Sequence, residues 1–222
     1  VSARSPLTYT PDDVPSRALA AADPALGELI ARVGGVEFSA HESADRFESL
    51  VRGIVGQQLS GKAAERIFER LGAEVGIGPE ALAEATIDEL LAAGLSHRKA
   101  EYVGDLARAV LTGELDLDAL DQLSDDDVVD TLTRLRGIGP WTAHMFLLFA
   151  MGRGDVIAPG DLGIRQAVGR LLDLGREATP AEVIEASERW RPYRSAATFY
   201  LYREAGMGRS AADPEPQIAP AE

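Results

Sequence analysis

The chain has 222 residues, no cysteine, and 22 lysines plus arginines against 36 aspartates plus glutamates, a formal charge of −14. That length can bury a core as one domain or two small lobes. The lack of cysteine excludes disulfides, thiolate zinc sites, cysteine nucleophiles and cysteine-held iron–sulfur clusters. An acidic chain repels phosphate as a whole, so a nucleic-acid partner has to be argued from local features.

Residues 1–22 carry Pro6, Pro11 and Pro15 without a sustained period and read as a loose arm. Asp23-Pro24 is a helix start, with Asp as cap and Pro at the first helical position. Phe47, Leu50, Val51, Ile54 and Val55 then fall at i, i+3, i+4, i+7 and i+8, one apolar helix face. Helical spacing continues through Ile67, Leu71 and Val75, then Leu82, Ile87, Leu90 and Leu95, then Tyr102, Leu106 and Val110. Ser124 followed by Asp125, Asp126 and Asp127 reads as a capped, acid-favouring helix start and not as a metal site. A helix holding Leu132 and Leu135 ends at Arg136. Gly137-Ile138-Gly139 makes a tight turn, and Pro140 opens a second helix that runs from Trp141 to Met151. Leu162–Leu172 and the segment from Val183 to Leu201 supply the last helices. Residues 208–222, rich in Pro, Ala and acid, read as a disordered tail. No alternating strand is evident, so the fold class is all-α with about ten short helices.

His41, His97 and His144 are far apart and lack ligand spacing. The longest apolar stretch, near Ala143–Met151, is far short of the ~20 residues that span a bilayer. No leader pattern opens the chain, so the expected location is cytoplasmic. Charge is uneven. Residues 1–133 hold 11 basic and 25 acidic side chains, whereas residues 134–203 hold 10 basic and 7 acidic, a net of +3. The one basic stretch therefore contains the glycine turn, and screening over about 8–10 Å lets a local basic face meet phosphate despite the overall charge. The turn itself suits an anion. Its glycines allow positive φ and close approach, and the helix after it presents free N–H groups and a positive dipole end.

The string LTRLRGIGPWTAHM at 132–145, followed by GRGDVIAPGD at 152–161, resembles the helix–hairpin–helix and Gly/Pro-Asp loop of a DNA glycosylase superfamily. Arg52–Ser60 (RGIVGQQLS), Gly94–Tyr102 (GLSHRKAEY) and Glu188–Ser195 (ERWRPYRS) resemble its DNA-3-methyladenine glycosylase II branch, in the compact form without an extra N-terminal β-domain. The likeness covers roughly residues 24–206. It implies one helical domain over residues 23–207, built from two interleaved lobes with a DNA- and base-binding cleft between them. It also implies a protein that acts as a monomer on double-stranded DNA containing damaged bases, and excision of alkylated bases within base excision repair. Trp141 stands where lyases of the superfamily carry a lysine, and an indole cannot form a Schiff base, so the activity implied is monofunctional.

Carried over residue by residue, the resemblance makes Asp161 the catalytic carboxylate, exposed at the groove mouth; a plain helix N-cap is the other reading, and the two are compatible. Trp141, Tyr193 and Met145 would form the base pocket, although Met145 reads better as core. Gln58 and Leu59 would enter the groove as a wedge, or be a polar helix end. The N–H groups of Gly137, Gly139 and Trp141 would bind phosphate. Arg194 would bind phosphate, line the pocket, or form a surface ion pair. The carbonyls of Thr133, Leu135 and Ile138 would hold a monovalent cation, and no other cofactor is implied. Arg98 and Lys99 read as a minor phosphate-facing corner or as solvated. Phe47 and Trp190 read as core. Two other functions remain open: a lesion-binding protein without catalysis, and a glycosylase for another damaged base.

Overall fold

The computed structural model describes residues 7–38, 45–206 and 209–210. His41 and the rest of the expected tail beyond Ser210 lie outside them. The chain divides into two compact units. Among the described residues one, called here the continuous unit, runs from 45 to 158; the other, the discontinuous unit, combines 7–38 with 159–206 and 209–210. Among the described residues the structure is mainly helical, in agreement with the sequence. No helix there is long and apolar enough to cross a membrane.

The continuous unit begins with α3 (Arg46–Gly56), whose buried residues are Phe47, Leu50, Val51, Ile54 and Val55, the face expected from spacing. Asp45 caps this helix by accepting from Glu48 N. α4 (Gly61–Glu74), α5 (Pro79–Glu84), α6 (Ile87–Ala92) and α7 (His97–Leu111) follow. Ser124 caps α8 (Asp125–Thr133) through Asp127 N, as its acid-rich start predicts. α9 (Pro140–Met145) runs into a π-helical turn, Phe146–Met151, closed by Gly152 in the left-handed region. The first hairpin helix thus ends one turn earlier than its leucine spacing suggests, and the second changes its winding halfway.

The discontinuous unit corrects two expectations. Residues 7–22 are not a loose arm: β1 (Leu7–Tyr9) and α1 (Val14–Ala22) occupy them. α1 has its signals in the sequence, Asp13 as cap and Pro15 in the first turn, but it buries only Ser16 and Leu19 and so shows no apolar period. A small sheet is also present. β2 (Val36–Phe38) pairs antiparallel with β1 and with β3 (Arg209–Ser210), the last reaching into the expected tail. Strands this short cannot display an alternating pattern.

α2 (Pro24–Val33) starts at Asp23-Pro24 as expected. The Asp23 carboxylate does more than cap. Its Oδ1 accepts from Ala25 N and Leu26 N, and its Oδ2 accepts from Trp190 Nε1 at 2.9 Å. Trp190 is 1% exposed and Asp23 is 5% exposed. Buried polar atoms need such partners. Trp190→Phe is therefore expected to cost about 1–3 kcal/mol, because it removes the hydrogen-bond donor of a buried carboxylate oxygen and leaves that oxygen only the long contact to Arg189 at 3.9 Å; urea unfolding checks it. α10 (Leu162–Leu171), α11 (Pro180–Ser187) and α12 (Arg194–Glu204) complete the unit, and Tyr200 on α12 hydrogen-bonds Ser16 on α1 at 2.8 Å.

Candidate functional site

In the continuous unit the glycine turn between α8 and α9 has the expected hairpin form. Gly137 sits at φ +88°, and a Cβ there would overlap the Tyr102 ring, so glycine is required on two counts. Ile138 is buried beneath the turn, as expected of an anchor. Gly139 is extended, and a Cβ on it would meet open space. Trp141, at the start of α9, is 47% exposed, unusual for so large an apolar side chain. Met145, one turn on, is half-buried.

The α3–α4 connection carries Gln57, Gln58 and Leu59. Gln58 adopts φ 58°, a left-handed backbone rare outside glycine. Gln58 is exposed, and Leu59 is 39% exposed. Gln57 Nε2 donates to Gly137 O at 2.7 Å, which brings the expected wedge turn and the glycine turn together. Lys99 Nζ donates to Val55 O and Gln57 O, each at 2.7 Å. A phosphate-facing or solvated cation is thus not what Lys99 is; nothing local announces that its partners lie 42 and 44 residues away.

The candidate cation carbonyls, Thr133, Leu135 and Ile138, lie on this same hairpin. The Leu135 carbonyl accepts from Ile138 N at 3.2 Å and keeps one lone pair. Neutral carbonyl oxygens are hard donors of the type a monovalent cation takes, so the residues fit the group in donor chemistry.

In the discontinuous unit Asp161 is the N-cap of α10, its Oδ1 accepting from Ile164 N at 2.9 Å. It is only 8% exposed, more covered than expected of a group at a groove mouth. Part of that cover is Tyr202 of α12, which shares a side-chain hydrogen bond with Asp161. Burial, then the Asp161 charge and that bond, push the Tyr202 hydroxyl far above the usual phenol range, so it is a donor at any working pH. No local sequence signal marks this partner. Tyr193, half-buried, is the residue before α12, and Arg194 is its first residue. The Arg194 side chain is 15% exposed and stands 3.9 Å from Glu188, at the outer limit of an ion pair.

The expected basic face is largely neutralised. Arg136 bridges Glu101 and Asp105, Arg165 meets Glu177, Arg170 meets Glu204, Arg176 meets Glu182, and Arg191 meets Glu188. Arginines spent this way offer phosphate less charge than a residue count implies, which leaves more of the task to backbone N–H groups.

Residues 51–192 match the HhH-GPD superfamily of base excision DNA repair proteins. The chain belongs to that superfamily. It is 33% identical over 167 residues to the DNA-3-methyladenine glycosylase 1 of Schizosaccharomyces pombe, covering 73% of each protein. The crystal structure of a DNA-3-methyladenine glycosidase from Bacillus halodurans superposes with a TM-score of 0.82 at 34% identity, over 90% of this chain and 93% of that one. A 3-methyladenine DNA glycosylase of Schizosaccharomyces pombe, crystallised in complex with abasic DNA, superposes with a TM-score of 0.79 at 29% identity, over 88% of this chain and 98% of that one. The HhH-GPD match spans the Gln58 turn, the hairpin and Asp161 together.

Proposed function

We propose that this HhH-GPD protein is a monofunctional DNA glycosylase that excises alkylated, positively charged bases such as 3-methyladenine and 7-methylguanine. The observation that carries the reading is Asp161: a carboxylate fixed by the Ile164 N–H and by Tyr202, at the head of α10 and directly after the Gly/Pro loop. The names of the similar glycosylases point the same way.

In the proposed reaction the bond between C1′ and the base nitrogen breaks. Its electron pair leaves with the base, which was cationic and departs neutral, so no general acid is needed. The sugar is left as an oxocarbenium-like cation. Asp161 stabilises that charge and orients the water that adds at C1′, whose proton then passes to solvent. Trp141 stacks on the flipped cationic base, with Met145 and Tyr193 as further pocket residues. Gln58 and Leu59 fill the gap in the stack. The N–H groups of Gly137, Gly139 and Trp141, with Arg194, bind phosphate. The Thr133, Leu135 and Ile138 carbonyls would hold a monovalent cation, which would supply positive charge beside a phosphate.

The test is a duplex bearing 3-methyladenine or 7-methylguanine. The expected result is free base and an abasic site, with no strand cut until alkali is added. Scission without alkali would assign a lyase. Trp141→Ala is expected to lower excision of the cationic base by about 2- to 30-fold, the loss of one cation–π contact, measured as single-turnover rate over apparent Kd. A second reading, lesion binding without catalysis, draws on the low exposure of Asp161. Tight lesion-specific binding with no base released would establish it.

A further inference from the structure

We propose that Lys99 and Gln57 are positioning residues that hold the Gln58 turn in its left-handed backbone and lock it to the glycine hairpin, so that the two segments meet DNA as one rigid piece. The functional half of this inference rests on the glycosylase reading above.

A lysine on a DNA-binding protein is by default a phosphate ligand, and Lys99 is one of only two lysines in the chain. Its geometry says otherwise. The ammonium is spent on Val55 O and Gln57 O, carbonyls at the C-terminal end of α3 that lack helical partners. Burial holds it below the usual lysine range, which a solvated phosphate ligand would not show. Lys99 also sits in the first turn of α7, where the helix's own dipole disfavours a cation. The negative end of α3 supplies the compensating field.

Four residues on three segments then close a ring. Lys99 and Tyr102 lie three apart on α7 and so share one face. Lys99 holds the Gln57 carbonyl. The Gln57 side chain holds the Gly137 carbonyl at 2.7 Å, and Gly137 packs on the Tyr102 ring. A positive φ outside glycine persists only where the surroundings over-determine it. Gln58 meets that condition, because its neighbour Gln57 is tied by both backbone and side chain.

The experiment compares wild type with Lys99→Met, Lys99→Arg and Gln57→Leu. In free protein, hydrogen exchange is read at the Leu59 amide, which donates to Gly56 O across the turn. It is expected to exchange about tenfold faster in Lys99→Met and Gln57→Leu, the scale of one lost hydrogen bond. Single-turnover excision should fall by a similar factor in both and recover in Lys99→Arg. The dependence of undamaged-DNA affinity on salt should not change, whereas loss of a phosphate ligand lowers that slope by about one. A lowered slope with unchanged excision overturns the inference and makes Lys99 a phosphate ligand. Unchanged Leu59 exchange overturns it without reference to DNA, even if the melting temperature falls. A wild-type protein that releases no base overturns the glycosylase reading, and the exchange arm still decides the clamp.

Discussion

Asp161→Asn is expected to reduce excision of an alkylated base by about 10²–10³-fold, the scale on which enzymes lose a preorganised charge-stabilising group, while leaving the fold intact. The two halves of this expectation separate catalysis from structure. Asp161 caps α10 through Ile164 N, and asparagine caps a helix as well as aspartate does. The Tyr202 hydroxyl, which can donate or accept, can also stay paired with the amide. What asparagine lacks is the negative charge that stabilises the sugar cation in the proposed reaction. Asp161→Ala is the control, since it loses the cap too and should lower stability by about 1 kcal/mol. Single-turnover base release and urea unfolding, measured on all three proteins, check both halves. Full excision by Asp161→Asn would leave the residue a cap and nothing more.

Gly169→Ala is expected to destabilise the discontinuous unit by about 3 kcal/mol, a severe case of overpacking. A Cβ at position 169 would overlap the Arg176 carbonyl oxygen and stand 3.1 Å from Ala178 N. Both are backbone atoms, and the loop that carries them cannot step aside. Ala178 N donates to Arg165 O at 2.9 Å, and Arg165 Nε donates to Ala178 O at 2.8 Å, pinning the loop to α10 on the same face. Arg176 is further tied to Glu182, whose carboxyl is held down to about 2 by the Arg176 and Thr179 bonds. That tie weakens only as pH falls from the ordinary carboxylate range towards 2, so it is in force under any neutral assay. A loss of this size corresponds to a fall of about 6–12 °C in Tm for a domain of this length. Thermal melting of Gly169→Ala beside Gly169→Ser, which should be no better, checks it.

Much of the fold was legible where the signal was local. Asp23, Ser124 and Asp161 each stand where a cap belongs, and each accepts from a backbone N–H in the first turn of its helix. The α3 face could be read from five apolar positions. Gly137 and Pro140 marked the hairpin because each has a conformational requirement that few other residues meet. What escaped was long-range. Lys99 gives no hint in its own neighbourhood of the α3 carbonyls, nor Tyr202 of Asp161. The arginines of the basic stretch could be counted, but their carboxylate partners could not be assigned. β1 and β2 are three residues each, too short for a period to emerge, and α1 buries too little apolar surface to declare itself.

The Asp23–Trp190 bond joins two pieces of chain 167 residues apart, with the whole continuous unit threaded between them. On the ribosome this imposes an order. At an elongation rate of about 5–20 residues per second, α1 and α2 wait roughly 8–35 seconds before Trp190 is synthesised. Throughout that wait Leu19, Leu26, Leu29 and Ile30, buried in the finished protein, lack the C-terminal half of their core. Helices α1 and α2 are thus sealed late although they precede the continuous unit in the chain, and a nascent chain stalled near residue 158 would present those apolar side chains to any chaperone within reach.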